Sequence, residues 1–314
     1  MKKRIVGVIG VGHVGAHVMF NLAVRGIADE IVLVDKNEQK AKSECQDLFD
    51  GVQFFPHRVE VRVGDFADLK DCDVVINCTG KIELLVGGTD RNMEMNYTVD
   101  AVNGYAKKIA DSGFDGILIN VTNPCDVITE RLARLTGLPD GHVFGTGTGL
   151  DSSRLCSVVA RATGVDHKSI CAYMLGEHGA HQIAAWSSVN IGGLSLDAFE
   201  EAKGIKLDRP ALQTESIGAG WATFVGKHCT EYAISSTAAR LAEIVLHDEK
   251  VIMPVSTKLN GEYGEKDVYV GVPAIVGKNG VESVVELKLS AEEKAEFHAC
   301  CENVRANIKR GDEI

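Results

Sequence analysis

The segment RIVGVIGVGHVG, residues 4–15, constrains the fold of this chain more than any other. Its first seven residues form a short run rich in Val and Ile, the composition of a strand buried on both faces. Gly10, Gly12 and Gly15 then follow in the order G-x-G-x-x-G, with Val14 just before the third glycine, and an amphipathic stretch runs from 13 to 25. A strand turning directly into a helix through such glycines lets the backbone approach a pyrophosphate. The helix N-terminus adds free N–H groups and positive potential. Asp35 ends the next apolar run, EIVLVD (30–35), twenty residues after Gly15. A carboxylate there can accept from both hydroxyls of an adenosine ribose, and its charge repels a 2′-phosphate. The combination predicts a dinucleotide site that prefers NAD to NADP, with Lys36 offsetting part of the repulsion.

Further apolar runs lie at 59–64, 73–80, 116–122 and 142–146, with amphipathic stretches such as 37–50 and 92–111 between them. Strands alternating with helices imply right-handed crossovers and an α/β fold, a doubly wound parallel sheet of the Rossmann type. The rhythm changes at about 147. A helix over 151–163, strand-like segments, long helices over 209–227 and 230–247, further strands and a closing helix from 291 suggest a mixed α+β second domain. The expected division is 1–146 for dinucleotide binding and 147–314 for the substrate, with a cleft between them.

The charge balance excludes some partners. Lys and Arg number 33 against 44 Asp and Glu, a net charge of −11, and no basic run forms a stripe. Nucleic acid and acidic membranes need a concentrated positive field, so neither is expected. The opening MKKR followed by an apolar run imitates a signal peptide, but glycines interrupt the run and it reads better as a strand. No segment approaches the roughly 18 apolar residues of a membrane span. Nine scattered cysteines without a C-x-x-C read as buried thiols in a reducing compartment, and the expected location is the cytoplasm.

Three short stretches carry candidate chemistry. GEHGAHQ (176–182) brings Glu177, His178 and His181 together. Its i, i+3 histidines among glycines are not the H-E-x-x-H of a zinc helix, so no metal is expected. GTGTGLDSSR (145–154) puts Asp151 and Arg154 on one face of a first helical turn, which alone reads equally as a helix N-terminus with a surface arginine. TNPCD (122–126) follows a strand and places Asn123 at the carboxyl end of the sheet, or in a plain Asn-Pro turn.

With GVGHVG (10–15), Asp35, TNPCDVIT (122–129), GTGTGLDSSR (145–154), GEHG (176–179) and CTEYAIS (229–235), the chain resembles the NAD-dependent L-lactate and malate dehydrogenases over essentially its whole length. Within that family it is most similar to the L-2-hydroxyisocaproate dehydrogenase branch. The resemblance implies a reversible hydride transfer between NADH and a 2-oxo acid. His178 is then the acid–base group, Asp151 its partner, and Arg154 the grip on the substrate carboxylate. Asn123 donates towards the substrate oxygen and borders the cofactor. Thr230 and Ile234 line the pocket beside the nicotinamide, and Gly80 borders the cofactor. Each role suits its side chain: imidazole exchanges protons near neutral pH, and the guanidinium fork matches a carboxylate.

The family closes a loop over its substrate, here GKIELLVGGTDRNMEMN (80–96), and Arg91 corresponds to the arginine that polarises the carbonyl. Glu83 falls at the position that reads the substrate side chain. Malate-type enzymes place arginine there, and a glutamate repels oxaloacetate. With Ile82, Leu84 and Leu85 beside it, an uncharged, medium-sized side chain is expected, and pyruvate is the second choice. Cys156 and Cys171 stand where fructose-bisphosphate-activated relatives carry arginine and histidine, so no such activation is expected. The family's members are homotetramers or homodimers. A non-catalytic NAD sensor is disfavoured, because it has no reason to keep buried charges. An NAD-using glycosidase needs a metal-binding Cys/His set, which Cys125 alone does not supply.

Overall fold

Apolar runs become a parallel sheet when helices cover both faces. The computed structural model describes residues 2–85 and 91–314, without the side chains of Arg91 and Asn92. Six strands pair in parallel: β1 (Ile5–Ile9), β2 (Glu30–Val34), β3 (Glu60–Val63), β4 (Val74–Asn77), β5 (Ile117–Asn120) and β6 (Val143–Gly145). Their order is β6-β5-β4-β1-β2-β3, which reverses between β1 and β4. Ligands of such folds bind beyond the carboxyl ends of the strands at that reversal. Helices α1 (His13–Val24), α2 (Glu38–Gly51), α3 (Met95–Ser112) and α4 (Cys125–Thr136) make the crossovers.

Period-two alternation assigns the strand residues to two cores. Ile31, Leu33, Val74, Ile76, Ile117 and Ile119 face α1 through Val18 and Leu22, whereas Val32, Val34, Val75 and Leu118 face α3 and α4 through Val99, Ile109 and Leu132. Burying each of these side chains contributes roughly 1.5–3 kcal/mol.

The second half contains α5 (Gly149–Thr163), β7 (Ile170–Cys171), β8 (Met174–Leu175), β9 (Ile183–Ala184), β10 (Asn190–Ile191) and β11 (Leu194–Ser195). It continues with α6 (Leu196–Lys203), α7 (Arg209–Lys227), α8 (Tyr232–His247), β12 (Val251–Asn260), β13 (Lys266–Gly277), β14 (Gly280–Val284) and α9 (Ala291–Asp312). Two small sheets, β11-β10-β7 and β8-β9, pack with the nearby helices around Leu155, Met174 and Phe199. The meander β12-β13-β14 instead extends the first sheet. Ser256 of β12 pairs antiparallel with Gly145 of β6, so among the described residues nine strands form one sheet. Without β12, β6 would be an open edge with unpaired N–H and C=O groups. Pro254, paired opposite Pro273, disguises β12 in the sequence, because proline is rare inside strands. Helix α8 also packs on α1, with Ala238, Leu241 and Ala242 in the core that contains β1. Among the described residues, no helix is long and apolar enough to cross a membrane.

The glycine loop needs its glycines for different reasons. Gly10 has φ +83°, in the left-handed region. A Cβ on Gly15 would lie 1.9 Å from the Gly10 carbonyl oxygen, whereas one on Gly12 would meet nothing within 4 Å. Gly15→Ala is therefore expected to cost about 1–3 kcal/mol or more, and Gly12→Ala to stay within about 0.5 kcal/mol. Equilibrium denaturation of the two variants checks this.

Candidate active site

The carboxyl ends of β4 and β5 carry a buried polar layer. Asn77 donates through Nδ2 to Asn120 Oδ1 at 2.9 Å and to Thr122 Oγ1 at 3.0 Å, while its Oδ1 accepts from the Tyr105 hydroxyl at 2.7 Å. Buried amides remain stable only when satisfied in this way, so the network sets the paths of the loops that leave both strands. Reading motif by motif misses it. The signal is present all the same, since VVIN and ILIN both end an apolar run on asparagine.

At the glycine loop, Asp35 Oδ2 accepts from the Val11 backbone N–H and Oδ1 from that of Asn37, both at 2.8 Å. Each oxygen keeps a further lone pair for a ribose hydroxyl. Lys36 turns away and donates to the Tyr97 hydroxyl at 2.8 Å. The open space over Gly12, the close turn at Gly15 and the carboxylate at Asp35 together form a cradle that fits a dinucleotide. Val14 is half-buried behind this loop, and Gly80 leads into the segment after β4. There Lys81 N–H donates to Glu94 Oε1 at 2.8 Å.

Asp151 and Arg154 occupy the first two turns of α5, as their i, i+3 spacing predicts, and His178 comes from the turn between β8 and β9. Asp151 Oδ1 accepts from Arg154 Nη1 at 2.9 Å, and Oδ2 lies 2.6 Å from His178 Nδ1. The Asp151 side chain is 2% exposed. Burial alone would push its carboxyl up, but the charge and hydrogen bond of His178, and then Arg154, hold it below the usual carboxylate range. With Nδ1 engaged, Nε2 is the ring atom left to exchange a proton. The second histidine of the motif is directed elsewhere, with His181 Nδ1 2.8 Å from Glu177 Oε2.

Two features beside this set are not evident from the motifs. A Cβ on Gly220 of α7 would lie 3.2–3.3 Å from three guanidinium atoms of Arg154, so the helix backbone packs directly against that group. Gln182, 5% exposed, donates to the Gly179 carbonyl at 2.7 Å and braces the histidine turn.

The structure thus joins His178, Asp151 and Arg154. Asn123 Oδ1 and Thr230 Oγ1 are buried oxygens without a hydrogen-bond partner among the described residues. Ile234 is half-buried in the first turn of α8. Glu83 sits exposed in a 3₁₀ turn over Ile82–Leu85 and makes no ion pair among the described residues. The Arg91 side chain lies outside the described residues.

Comparison with known proteins agrees with this geometry. The model for the lactate/malate dehydrogenase NAD-binding domain matches residues 4–145, and that for the α/β C-terminal domain of the same family matches 148–314. This chain belongs to the lactate/malate dehydrogenase family. It is an NAD-dependent dehydrogenase of the lactate type, acting on CH–OH donors. The L-lactate dehydrogenase of Fusobacterium nucleatum is 38% identical over 316 residues, covering 99% of this chain and 98% of the relative. L-lactate dehydrogenase 1 of Bifidobacterium longum is 37% identical, with 98% of each chain covered. Among solved structures, the ligand-bound minor L-lactate dehydrogenase of Enterococcus mundtii superposes with a TM-score of 0.90 at 32% identity, covering 99% of each chain. The lactate dehydrogenase of Cryptosporidium parvum, solved with lactic acid and NAD, has a TM-score of 0.94 at 27% identity, covering 100% of this chain and 99% of its own.

Proposed function

We propose that this dehydrogenase is similar to L-2-hydroxyisocaproate dehydrogenase and acts on 2-oxo and 2-hydroxy acids with uncharged, medium-sized side chains. The observation that carries the mechanism is the sharing of the Asp151 carboxylate between Arg154 and His178. The residues of the glycine loop and Asp35 hold NAD, which supplies or takes up the hydride. Arg154, steadied on one side by Asp151 and on its face by Gly220, offers its remaining N–H groups to the substrate carboxylate. His178 Nε2 then faces the carbonyl or hydroxyl oxygen, giving a proton in reduction and taking it in oxidation. Asp151 accepts from Nδ1–H and so fixes the tautomer and the orientation of the ring. Asn123 donates through its side-chain amide towards the substrate oxygen, and Thr230 and Ile234 line the pocket beside the nicotinamide. Arg91 is the group that meets the negative charge developing on the carbonyl oxygen.

Substrate choice rests on the segment after β4, where Glu83 disfavours a second carboxylate and Ile82, Leu84 and Leu85 favour an apolar chain. The second reading is an L-lactate dehydrogenase acting on pyruvate, supported by the names of the relatives. The reading also includes a functional division at residues 146 and 147, a cytoplasmic location, and a homotetramer or homodimer. It includes no nucleic-acid or membrane partner, in keeping with the net charge of −11.

NADH oxidation with pyruvate, 2-oxoisocaproate, phenylpyruvate and oxaloacetate tests the choice. The highest kcat/KM is expected for 2-oxoisocaproate. Preference for pyruvate selects the second reading, and preference for oxaloacetate refutes both. Fructose bisphosphate at millimolar concentration is expected to leave the rate unchanged, since Cys156 and Cys171 offer no cation to a phosphate. Arg154→Lys keeps the charge but loses the two-point grip. It is expected to cost about 2–5 kcal/mol of transition-state stabilisation, read from kcat/KM.

A further inference from the structure

The mechanism above does not use Asp126, although it is the acid most closely tied to the backbone of His178. Asp126 stands in the first turn of α4 and is 2% exposed. Its Oδ2 accepts from the His178 backbone N–H at 2.9 Å, and its Oδ1 accepts from the Ser256 hydroxyl at 2.6 Å. No lysine or arginine forms an ion pair with it among the described residues, whereas Asp151 has Arg154. An amide of the same shape could accept from His178 and donate to Ser256 without placing a charge in the interior. Holding the turn in place therefore does not by itself require a carboxyl group. What the carboxyl adds is a charge against the backbone of the histidine turn.

We propose that Asp126 is a positioning residue for His178. It clamps the histidine backbone to α4 and, when ionised, adds a second buried negative charge at the histidine turn, so that the pH range of proton transfer depends on Asp126 as well as on Asp151. This rests on the reading of His178 as the proton-transfer group.

The surroundings of Asp126 leave its own charge finely balanced. His178 and Glu177 approach from the histidine turn, Ser256 from β12, Cys300 and Cys301 from α9, and Cys125 from its own helix. Burial pushes the carboxyl up to about 7, while the bonds from Ser256 and the His178 N–H pull it down, Glu177 raises it and the charge of His178 lowers it. The N-terminal end of α4 also favours the ionised form. The acid is thus ionised above about 7 and neutral below. A folded-state value above the ordinary 3.8 means that the native protein holds an extra proton between those two values. Its stability accordingly falls as pH rises through that window, and the whole penalty is present above about 7.

The test compares the wild type with Asp126→Asn, Ser256→Ala and His178→Gln, following the pH dependence of kcat/KM for 2-oxo acid reduction. Asp126→Asn is expected to move the midpoint of the reduction profile down by about one pH unit, a loss of about 10-fold at pH near 8. Its thermal midpoint should gain on the wild type more at pH near 8 than at pH near 5. Ser256→Ala removes the hydroxyl that helps the carboxyl ionise, and is expected to shift the profile in the same direction by less. A folded Asp126→Asn enzyme with an unshifted or raised midpoint overturns the proposal. If that variant does not fold, an unshifted Ser256→Ala profile does so instead. His178→Gln separates the two levels, because near-normal activity there refutes the role of His178 itself, whereas an inactive His178→Gln with an unshifted Asp126→Asn refutes only the role of Asp126.

Discussion

One buried carboxylate has to satisfy two partners, an arginine and a histidine, and the site is organised around that requirement. Asp151 is almost completely removed from water, a position in which an ionised acid is unstable unless charges and donors surround it. Arg154 and His178 supply them, one to each oxygen. The arrangement works in both directions. The acid remains ionised because of its partners, and each partner is oriented by the acid. Removing Asp151 leaves the Arg154 guanidinium without its carboxylate and His178 without its Nδ1 acceptor, so geometry and electrostatics stand together.

The three groups meet because the two halves of the chain are built into each other. Asp151 and Arg154 lie on the helix that follows β6, while His178 arrives on a glycine-rich turn tethered on two sides. Gly176 exchanges backbone hydrogen bonds with Gly271 of β13 at 2.8 and 2.9 Å, and the next turn residue but one, His178, donates to Asp126 of α4. The continuous sheet across β6 and β12 keeps those anchors in register. A cleft between elements sharing one sheet can position side chains more closely than a flexible linker would.

The site also shows where charge is tolerated in the interior. Asp35 meets backbone N–H groups, Asp151 meets an arginine and a histidine, and Asp126 meets a single N–H and a hydroxyl. These environments suit one residue type to three different proposed roles, ribose acceptor, counter-ion and titrating group. Environment, rather than residue identity, separates the three.

Much of this was legible in the sequence. Short-range patterns sufficed for the glycine turn, for Asp35 at the end of a strand and for Asp151 and Arg154 at i, i+3, because turn, strand and helix periodicities act over a few residues. Ordered motifs along the chain also identified His178 and the family. The contacts that cross the chain needed the tertiary structure: Ser256 pairing beside Gly145, Gly220 against Arg154, and Asp126 beneath His178. Those pairs are separated by 52 to 111 residues, and no local periodicity encodes which surfaces will pack. Local backbone preference and hydrophobic alternation therefore determined the elements and the residue types at their ends. Burial and hydrogen-bond satisfaction decided which of those ends face one another, because both depend on the whole packed chain.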